Sequence, residues 1–157
     1  MSSKLVSDRL VLEPASAVDL GTISHLLEAS ALPVADLEDH LRSFVLAKWQ
    51  GEIVGAVGLE NYGESGLLRS LCVRADRRSE GIGRALLLAI EAAAFARGVR
   101  DLYLLTFSAA PYFEKHQFIE VARDRVPVEI RSTAQFRILC PASATCMRKR
   151  LPSLAAD

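Results

Sequence analysis

A short stretch rich in glycine and arginine has the composition of an anion-binding loop: Arg78-Ser79-Glu80-Gly81-Ile82-Gly83-Arg84. Glycines let the backbone approach a ligand closely, so that successive N–H groups can point at one anion. The stretch follows an apolar run and precedes a helical pattern, and a helix N-terminus adds about half a positive charge. Five arginines between positions 69 and 84 stand against only Asp76 and Glu80. The sequence therefore predicts a site for a diphosphate.

Two familiar phosphate-binding motifs do not fit this loop. A Walker loop needs a lysine after its second glycine, and Arg84 stands there instead. A dinucleotide-binding fingerprint needs a glycine or alanine where this chain has Leu86. The ligand is therefore not expected to be a nucleoside triphosphate or a nicotinamide dinucleotide.

The elements that position the loop are predicted from hydrophobic periodicity and from turn residues. The predicted strands are Leu10–Glu13, Phe44–Trp49, Ile53–Leu59, Leu67–Val73, Leu102–Thr106, Phe118–Val121 and Ala144–Lys149. The predicted helices are Ala17–Ala29, Val34 to about Ser43, Arg84–Arg97 with Gly98 as its C-cap, Pro111–His116 and Val128–Ile138. The first half is rich in hairpins and the second alternates strand and helix, so we predict one α/β (α+β) domain over residues 1–157.

Composition and charge exclude several classes of protein. Half of the residues are hydrophobic and 24% are charged, which is typical of a folded domain with a core. The formal net charge is zero, which argues against nucleic acid or an anionic membrane as the main partner. The most apolar stretch, Ala85–Ala96, is interrupted by Glu91 and is shorter than the roughly 20 residues of a membrane-spanning helix. Met1–Val11 lacks the apolar centre of a signal peptide, so we expect a cytoplasmic protein.

The three cysteines, Cys72, Cys140 and Cys146, do not form the even, regularly spaced set of a disulfide framework. Reduced thiols are expected. Cys140 and Cys146 suit a soft metal, but no histidine or third cysteine lies near them in sequence, so no metal site is predicted. For Cys72, in an apolar strand, a small core side chain is expected rather than a nucleophile.

The glycine loop and a later segment together resemble the GNAT superfamily of N-acetyltransferases. The first motif is Arg-x-x-Gly-x-Gly at 78–83, and the second, at 112–118, is similar to Phe-Tyr-Glu-Lys-x-Gly-Phe. The resemblance spans nearly the whole chain. It implies the GNAT fold, a mixed and mostly antiparallel sheet of six to seven strands flanked by about four helices. It also implies acetyl-CoA as cosubstrate and direct attack of a small-molecule amine on the thioester.

This resemblance implies cofactor contacts residue by residue. The diphosphate would be bound by Arg78, Ser79, Glu80, Gly81, Ile82, Gly83 and Arg84. The main chain of Leu71, Cys72 and Val73 would run along the pantetheine and bind the thioester carbonyl, which gives Leu71 a catalytic role as well. Thr106 stands where many members have an asparagine that contacts the cofactor.

The general acid and base are less well matched to the family pattern. Phe113 occupies the position of the tyrosine that usually protonates the leaving thiolate, and Gln117 replaces the usual glycine. Tyr112 is an imperfect substitute because it projects about 100° around the helix from that position. Glu60, at the end of the second hairpin strand, is the best-placed carboxylate for a base, with Glu64 behind it. The alternative for both is a solvated charge in a turn.

Arg69 is the candidate for binding the acceptor. Strand alternation puts Leu67, Arg69, Leu71 and Val73 on one face and Leu68, Ser70 and Cys72 on the other. By the family register the first face meets the acceptor, so Arg69 would suit an amine that also carries a carboxylate, phosphinate or arsinate. A salt bridge with Glu60 or Glu64 explains Arg69 equally well.

The segment Val128–Met147 carries a narrower resemblance. It is similar to the small N-acetyltransferases named for arsenic-resistance operons, which end in Ile-Arg-x-Thr-x-x-Phe-x-x-Leu-Cys-Pro-x-Ser-Ala-x-Cys-Met, and Leu68-Arg69-Ser70-Leu71 fits them as well. The resemblance implies an amino-acid-like arsenical, or its phosphorus analogue, as acceptor. In that family the segment covers the acceptor pocket, which makes Arg131, Thr133 and Arg137 candidate substrate contacts; ordinary helix-surface positions are the alternative.

Other functions remain open at this point. The same chemistry could act on an aminoglycoside, a polyamine or a protein N-terminus, although Arg69 argues against a polycationic acceptor. A protein that binds acyl-CoA or arsenic without turnover is the second alternative, since Phe113 lacks the family's hydroxyl. The resemblance also suggests a homodimer formed through a late edge strand.

Overall fold

A computed structural model describes residues 9–139 and 143–152 of the chain. These residues fall into two compact units. The first comprises the described residues up to Leu59 together with Ser70–Ala92, and the second comprises Glu60–Arg69 together with the described residues from Ala93 onward.

The described residues contain a seven-stranded mixed sheet, as expected. Its strands are β1 (Leu10–Pro14), β2 (Phe44–Trp49), β3 (Glu52–Tyr62), β4 (Ser65–Val73), β5 (Asp101–Thr106), β6 (Ile119–Glu120) and β7 (Thr145–Arg150). Their order in the sheet is β1-β2-β3-β4-β5-β7-β6. Strands β4 and β5 pair in parallel, whereas β1 with β2, β2 with β3, β5 with β7 and β6 with β7 pair antiparallel. The prediction of a mixed, mostly antiparallel sheet is confirmed.

Five α-helices lie within the described residues: α1 (Leu20–Ala29), α2 (Leu37–His40), α3 (Ile82–Ala96), α4 (Ala110–Glu114) and α5 (Val128–Arg131). Short 3₁₀ turns cover Ala17–Asp19, Leu41–Ser43, Ala75–Arg77 and Arg123–Arg125, and Gln135–Leu139 forms one turn of π-helix. Helix α3 is the longest and ends at Ala96, and Gly98, two residues later, has a φ of +89° and is the predicted glycine cap.

In the first unit, helix α1 packs its apolar face against the first strands. Ile23 and Leu27 of α1 share a buried cluster with Phe44 and Leu46 of β2. The strands β2 and β3 are joined by Gln50 and Gly51, whose φ values of +52° and +82° belong to a two-residue hairpin turn that matches the right-handed twist of the strands. The predicted hairpin is confirmed.

Gly55 of β3 allows helix α3 to pack closely against the sheet. A Cβ atom at this position would lie 2.9 Å from Leu86 Cδ1, 3.1 Å from the Cys72 carbonyl oxygen and 3.3 Å from Ile82 Cγ2. Real Cβ atoms essentially never lie within 3.0 Å of another atom, as this one would of Leu86, so the missing side chain leaves room for the first turns of α3. The position of the helix that follows the Arg78–Arg84 loop thus depends on a glycine in the hairpin.

In the second unit, β7 lies between β5 and β6. Its register pairs Asp101 with Arg150 and Thr106 with Thr145, and on its other side β7 pairs Met147 with Glu120 of β6. A separate apolar cluster packs in this unit: Leu67, Tyr103, Val126, Ile130 and Cys146.

Two predicted helices are wrong in extent. The helix predicted over Val128–Ile138 is interrupted after Arg131, because the Thr133 hydroxyl donates to the Ile130 carbonyl at 2.7 Å and accepts from the Phe136 N–H at 3.4 Å. Such side-chain bonds compete with the helical backbone pattern. The helix predicted from Val34 begins only at Leu37 and ends in a 3₁₀ turn.

Candidate functional site

The predicted diphosphate loop leads directly into helix α3. Ser79 and Gly81 adopt left-handed backbone conformations, with φ values of +69° and +84°. Gly81 precedes the first turn of the helix, and its carbonyl accepts the Ala85 N–H at 3.0 Å. Residues 78–81 are exposed. Alternating left-handed residues at a helix N-terminus turn successive N–H groups toward one side, which is how a backbone cradles an anion.

The arginines of this region divide into two pairs with different surroundings. Arg74 binds Asp76 at 2.7 Å and Glu52 at 3.1 Å, and Arg77 lies 3.5 Å from Glu80. These salt bridges hold the pKa of Asp76 below its usual range and raise that of Arg74. The positive charges of Arg74 and Arg77 are thus balanced locally.

Arg78 and Arg84 differ from that pair. Arg78 Nε donates to the Val73 carbonyl at 3.1 Å, which ties the loop to the end of β4, and Arg84 is exposed in the first turn of α3. Within residues 9–139 and 143–152, no carboxylate forms a salt bridge with either of them. The positive charge available to a ligand is therefore that of Arg78 and Arg84.

Strand β4 is not regular, contrary to the predicted alternation. Ser70 has a φ of +61°, outside the range of a strand, so the two faces predicted from strand alternation do not continue through it. Leu71 and Val73 are half-buried. An irregular strand leaves main-chain groups outside the normal pairing pattern, where they can serve a ligand.

Cys72 is a core side chain, as predicted. It is 6% exposed and packs in the cluster of α1 and β2. Burial raises the pKa of its thiol to about 12, an effect only partly offset by hydrogen bonds with Ala56 and Ser30 and by the charge of Arg78. A thiol with this pKa is not a nucleophile near neutral pH.

Glu60 and Arg69 form a buried ion pair in the second unit. The Glu60 side chain is 3% exposed and that of Arg69 1%, and Arg69 Nη1 donates to Glu60 Oε2 at 3.0 Å. The other carboxylate oxygen, Oε1, accepts a hydrogen bond from the Tyr62 hydroxyl at 2.5 Å. The interpretation of Glu60 as a solvated turn charge is wrong, because β3 continues through Tyr62 and the turn follows it.

The segment after β5 positions the candidate general acid. The Thr106 hydroxyl accepts the Ala109 N–H at 2.9 Å and so helps to begin α4. Phe113 is 6% exposed and packs edge-on against Phe118 and Tyr112. Gln117 has a φ of +71°, the conformation that the family's glycine would adopt easily.

Tyr112 is half-buried, but its hydroxyl oxygen is fully buried and makes no hydrogen bond within the described part of the chain. Burial raises the pKa of this phenol above its ordinary value. A buried phenol without a hydrogen-bond partner destabilises the folded protein. Groups in such unfavourable surroundings are common at functional sites.

The C-terminal candidates contact their own segment. Arg131 is exposed and its Nε donates to the Val126 carbonyl at 2.9 Å, whereas Thr133 is buried and caps the end of α5. Cys146 is buried, and burial raises the pKa of its thiol to about 11. Cys140 lies outside the described residues.

The predicted site residues thus fall into two groups. Arg78–Arg84 and Leu71–Val73 belong to the first unit, and Glu60, Arg69, Thr106, Tyr112, Phe113, Arg131 and Thr133 belong to the second. Within the second group the structure brings Glu60 and Arg69 into contact. Sequence reasoning missed Tyr62, whose i, i+2 spacing from Glu60 along a strand puts both on one face and was the available signal.

Among the helices of the described residues, none combines the length and the hydrophobicity needed to cross a bilayer.

Comparison with known proteins places the chain in a family. The acetyltransferase (GNAT) domain family matches residues 40–120, slightly more than half of the chain. An uncharacterised N-acetyltransferase of Chlorobaculum tepidum is 29% identical over 124 residues, which are 74% of this chain and 79% of that protein. An amino-acid acetyltransferase of Ralstonia nicotianae is 31% identical over 134 residues, 80% of this chain but 30% of that protein.

A solved structure shows the same fold. The N-acetylglutamate synthase of Neisseria gonorrhoeae, complexed with coenzyme A and L-arginine, superposes with a TM-score of 0.80 and 21% identity over 92% of this chain and 34% of that one. This chain therefore spans about a third of the synthase. The family match over residues 40–120 agrees with the glycine loop and with the seven-stranded sheet. The chain therefore belongs to the GNAT family and is an N-acetyltransferase, an enzyme of the acyltransferase class.

Proposed function

We propose that the protein transfers the acetyl group of acetyl-CoA to the primary amine of an amino-acid-like small molecule. The observation that carries the proposal is the cofactor loop, in which left-handed Ser79 and Gly81 precede a helix of 15 residues. Arg78 and Arg84 add positive charge that no described carboxylate balances. The diphosphate of coenzyme A fits the chemistry of this loop.

The proposed reaction needs no covalent enzyme intermediate. The neutral amine attacks the thioester carbonyl carbon, a C–N bond forms, and the C–S bond breaks to release coenzyme A thiolate. The main-chain N–H of Leu71 binds the carbonyl oxygen, with Cys72, Val73, Thr106 and Phe113 as further cofactor contacts. None of these steps needs a metal ion.

Two proton transfers complete the reaction. We assign the amine proton to Glu60, whose carboxylate is held from both sides by Arg69 and Tyr62. The thiolate takes a proton from Tyr112, whose buried hydroxyl has no hydrogen-bond partner in the described structure. A phenol kept protonated by burial is a suitable donor to a thiolate.

We assign binding of an acid group on the acceptor to Arg69. A guanidinium has five N–H donors, and Nη1 of Arg69 donates to Glu60. Its planar fork suits a carboxylate, phosphinate or arsinate. The amino-acid acetyltransferases among the relatives support an amino-acid acceptor.

The finer proposal is an arsenic- or phosphorus-containing amino acid. It rests on the resemblance of Val128–Met147 and Leu68–Leu71 to the N-acetyltransferases of arsenic-resistance operons. Arg131 and Thr133 are assigned to the same acceptor; Arg131 makes one local hydrogen bond and has further N–H donors, whereas the Thr133 hydroxyl donates to Ile130 and accepts from Phe136.

The test is release of free coenzyme A thiol with a panel of acceptors. The panel contains arsenic- and phosphorus-containing amino acids, ordinary amino acids, aminoglycosides and polyamines. We expect turnover with anionic amino-acid acceptors, and the fastest with the arsenic or phosphorus analogues. Turnover only with aminoglycosides or polyamines would contradict the acceptor class, and binding of acetyl-CoA without any turnover would contradict the enzymatic function.

The role of Arg69 is tested in variants in which Glu60, its ion-pair partner, is already neutral. The double variant Glu60→Gln with Arg69→Met removes both charges, and Glu60→Gln alone is its matched control. If Arg69 binds the acid group, the double variant raises KM for the acceptor at least tenfold above the control, and KM for acetyl-CoA stays the same. Equal acceptor KM values in the two variants would contradict this assignment.

A further inference from the structure

We propose that the end of the β2–β3 hairpin supports the cofactor loop, and that Trp49 and Arg77 are positioning residues for the diphosphate. The hairpin end is defined as Trp49–Glu52. This inference rests on the proposed acetyl-CoA function, but it concerns residues that are not themselves ligands.

The first contact joins a side chain of the hairpin to the loop. The guanidinium carbon of Arg77 lies 5.0 Å from the centroid of the Trp49 ring, a cation–π distance. The same guanidinium lies 3.5 Å from Glu80 Oε1. Arg77 is therefore held between an aromatic ring of the hairpin and a carboxylate of the loop, with only 26% of its side chain exposed.

The second contact reaches the other strand of the hairpin. The Arg74 N–H donates to the Val54 carbonyl at 2.7 Å, and its side chain binds Glu52 at 3.1 Å. The two arginines that precede the loop, Arg74 and Arg77, thus contact β3 and β2, whereas Arg78 donates to Val73 at the end of β4. This division separates arginines that support the loop from arginines that are available to a ligand.

Support matters because the loop is held in an unusual conformation. Ser79 is left-handed without being glycine, a backbone state that persists only where its surroundings fix it. A loop ordered before binding spares the ligand the entropic cost of ordering it. Loss of the support should therefore weaken binding of coenzyme A while the acceptor is bound as before.

The chain contains one tryptophan, so Trp49 emission reports directly on the contact. Coenzyme A is titrated into the wild-type protein by fluorescence, and into all variants by calorimetry. The disruptive variants are Trp49→Leu and Arg77→Met, and the conservative variants are Trp49→Phe and Arg77→Lys. Arg100→Met is the matched control, because Arg100 makes a similar contact, 5.2 Å from the Phe95 ring, after the end of α3.

We expect each disruptive variant to raise the Kd for coenzyme A about fivefold, with kcat and the acceptor KM unchanged. The double variant should bind coenzyme A no more weakly than Arg77→Met alone. Trp49→Leu removes only the Trp49–Arg77 contact, and Arg77→Met removes that same contact. The conservative variants should bind within about twofold of wild type, as should Arg100→Met. In the wild type, coenzyme A should change Trp49 emission.

Three results would overturn the inference. The disruptive variants could bind coenzyme A as tightly as wild type, their effects could multiply in the double variant, or Arg100→Met could weaken binding equally. Arg77→Met changes a partly exposed side chain outside the apolar core, so it tests the inference even if Trp49→Leu does not fold. A wild-type protein that binds no coenzyme A would refute the proposed function itself, and is distinguished by that first titration.

Discussion

Tyr112 combines a structural cost with a proposed chemical role. Its buried hydroxyl makes no hydrogen bond among the described residues, and an unsatisfied buried hydroxyl costs about 1–3 kcal/mol. The neighbouring Phe113 stands where the family carries its tyrosine and has no proton to give. The hydroxyl of Tyr112 is thus the most direct replacement that the sequence offers.

Tyr112→Phe should therefore have opposite effects on stability and activity. We expect the free energy of unfolding to stay equal or rise by about 1 kcal/mol, and kcat to fall at least tenfold. Because burial raises the pKa of Tyr112, the wild-type enzyme should keep its general acid protonated at alkaline pH. Urea denaturation and the pH profile of kcat measure the two effects, and an unchanged kcat would remove Tyr112 from the mechanism.

The buried thiol of Cys72 predicts a loss of stability at alkaline pH. Burial raises its pKa from 9.0 in the unfolded chain to about 12 in the folded protein, so between these values the folded protein holds a proton that the unfolded chain releases. The stabilisation is complete below pH 9 and is lost as the pH rises toward 12. By pH 10 it should fall by about 1 kcal/mol in the wild type, and by less in Cys72→Ala. Thermal denaturation at pH 7 and pH 10 compares them; identical pH dependence would contradict the prediction.

Some residue environments could not be read from the sequence. Glu60 looked like a turn charge because the Asn61–Gly66 turn cluster follows it at once, yet its burial depends on Arg69, nine positions away on the next strand. Gln117 is a case in which the sequence pattern was informative. The family pattern has glycine at this position, and the backbone of Gln117 is left-handed, a conformation that glycine adopts easily. The sequence offered Glu60 or Glu64 as a partner for Arg69, whereas the burial of the Glu60–Arg69 pair could not be predicted.

At the scale of elements, the sequence predicts hairpins better than helix ends. The apolar runs separated by Gln50-Gly51 specify a two-residue turn, because such turns need positive φ values that glycine accepts. The single helix predicted over Val128–Ile138 is wrong because periodicity does not register the Thr133 hydroxyl, which bonds to the backbone and ends α5.

Because Glu60 of β3 and Arg69 of β4 form an ion pair, we expect single and double substitutions to change the free energy of unfolding non-additively. Arg69→Met alone leaves the Glu60 carboxylate buried without its cation, and we expect a loss of about 3–5 kcal/mol in the free energy of unfolding. Glu60→Gln with Arg69→Met removes both charges and should recover most of that loss. Urea denaturation of the wild type, both single variants and the double variant measures the coupling; additive effects would show that the pair is not energetically linked.

Helix α3 packs closely against β3 because Gly55 has no side chain. Gly55→Ala would place a Cβ 2.9 Å from Leu86, so we expect a loss of about 1–3 kcal/mol and weaker binding of coenzyme A as α3 shifts. Gly21→Ala in α1 is the matched control, because a Cβ there has nothing within 4 Å and should stabilise the helix by about 0.5–1 kcal/mol. Thermal denaturation and coenzyme A titration test both; a neutral Gly55→Ala would show that α3 can move freely.

At the scale of the whole molecule, binding of coenzyme A at the loop should raise the free energy of unfolding. Coenzyme A at about 100 times its Kd should add about 2.7 kcal/mol to the free energy of unfolding and raise Tm by about 5–10 °C. The formal net charge of the chain is zero, so the attraction is local to the loop, and the rise should shrink in 1 M salt. An unchanged Tm at saturating coenzyme A would argue against specific binding to the folded state.

The fold class was predictable because the two motifs and the order of elements agree with one family. The division of the described residues into two compact units was not, since β3, β4 and α3 each contribute residues to both units. That residues 1–157 act as a single GNAT domain, and that the protein forms a homodimer, stay predictions.

The position of β7 has a consequence for the order in which the chain can fold during synthesis. Strand β7 comes after β6 in the chain but lies between β5 and β6 in the sheet. When the ribosome has made residues up to Glu120, β6 has no neighbour with which to pair, and one edge of β5 is open. These edges are closed only after Thr145–Arg150 have been translated. Until then the chain exposes unpaired backbone along these edges, and such edges are prone to pair with other strands.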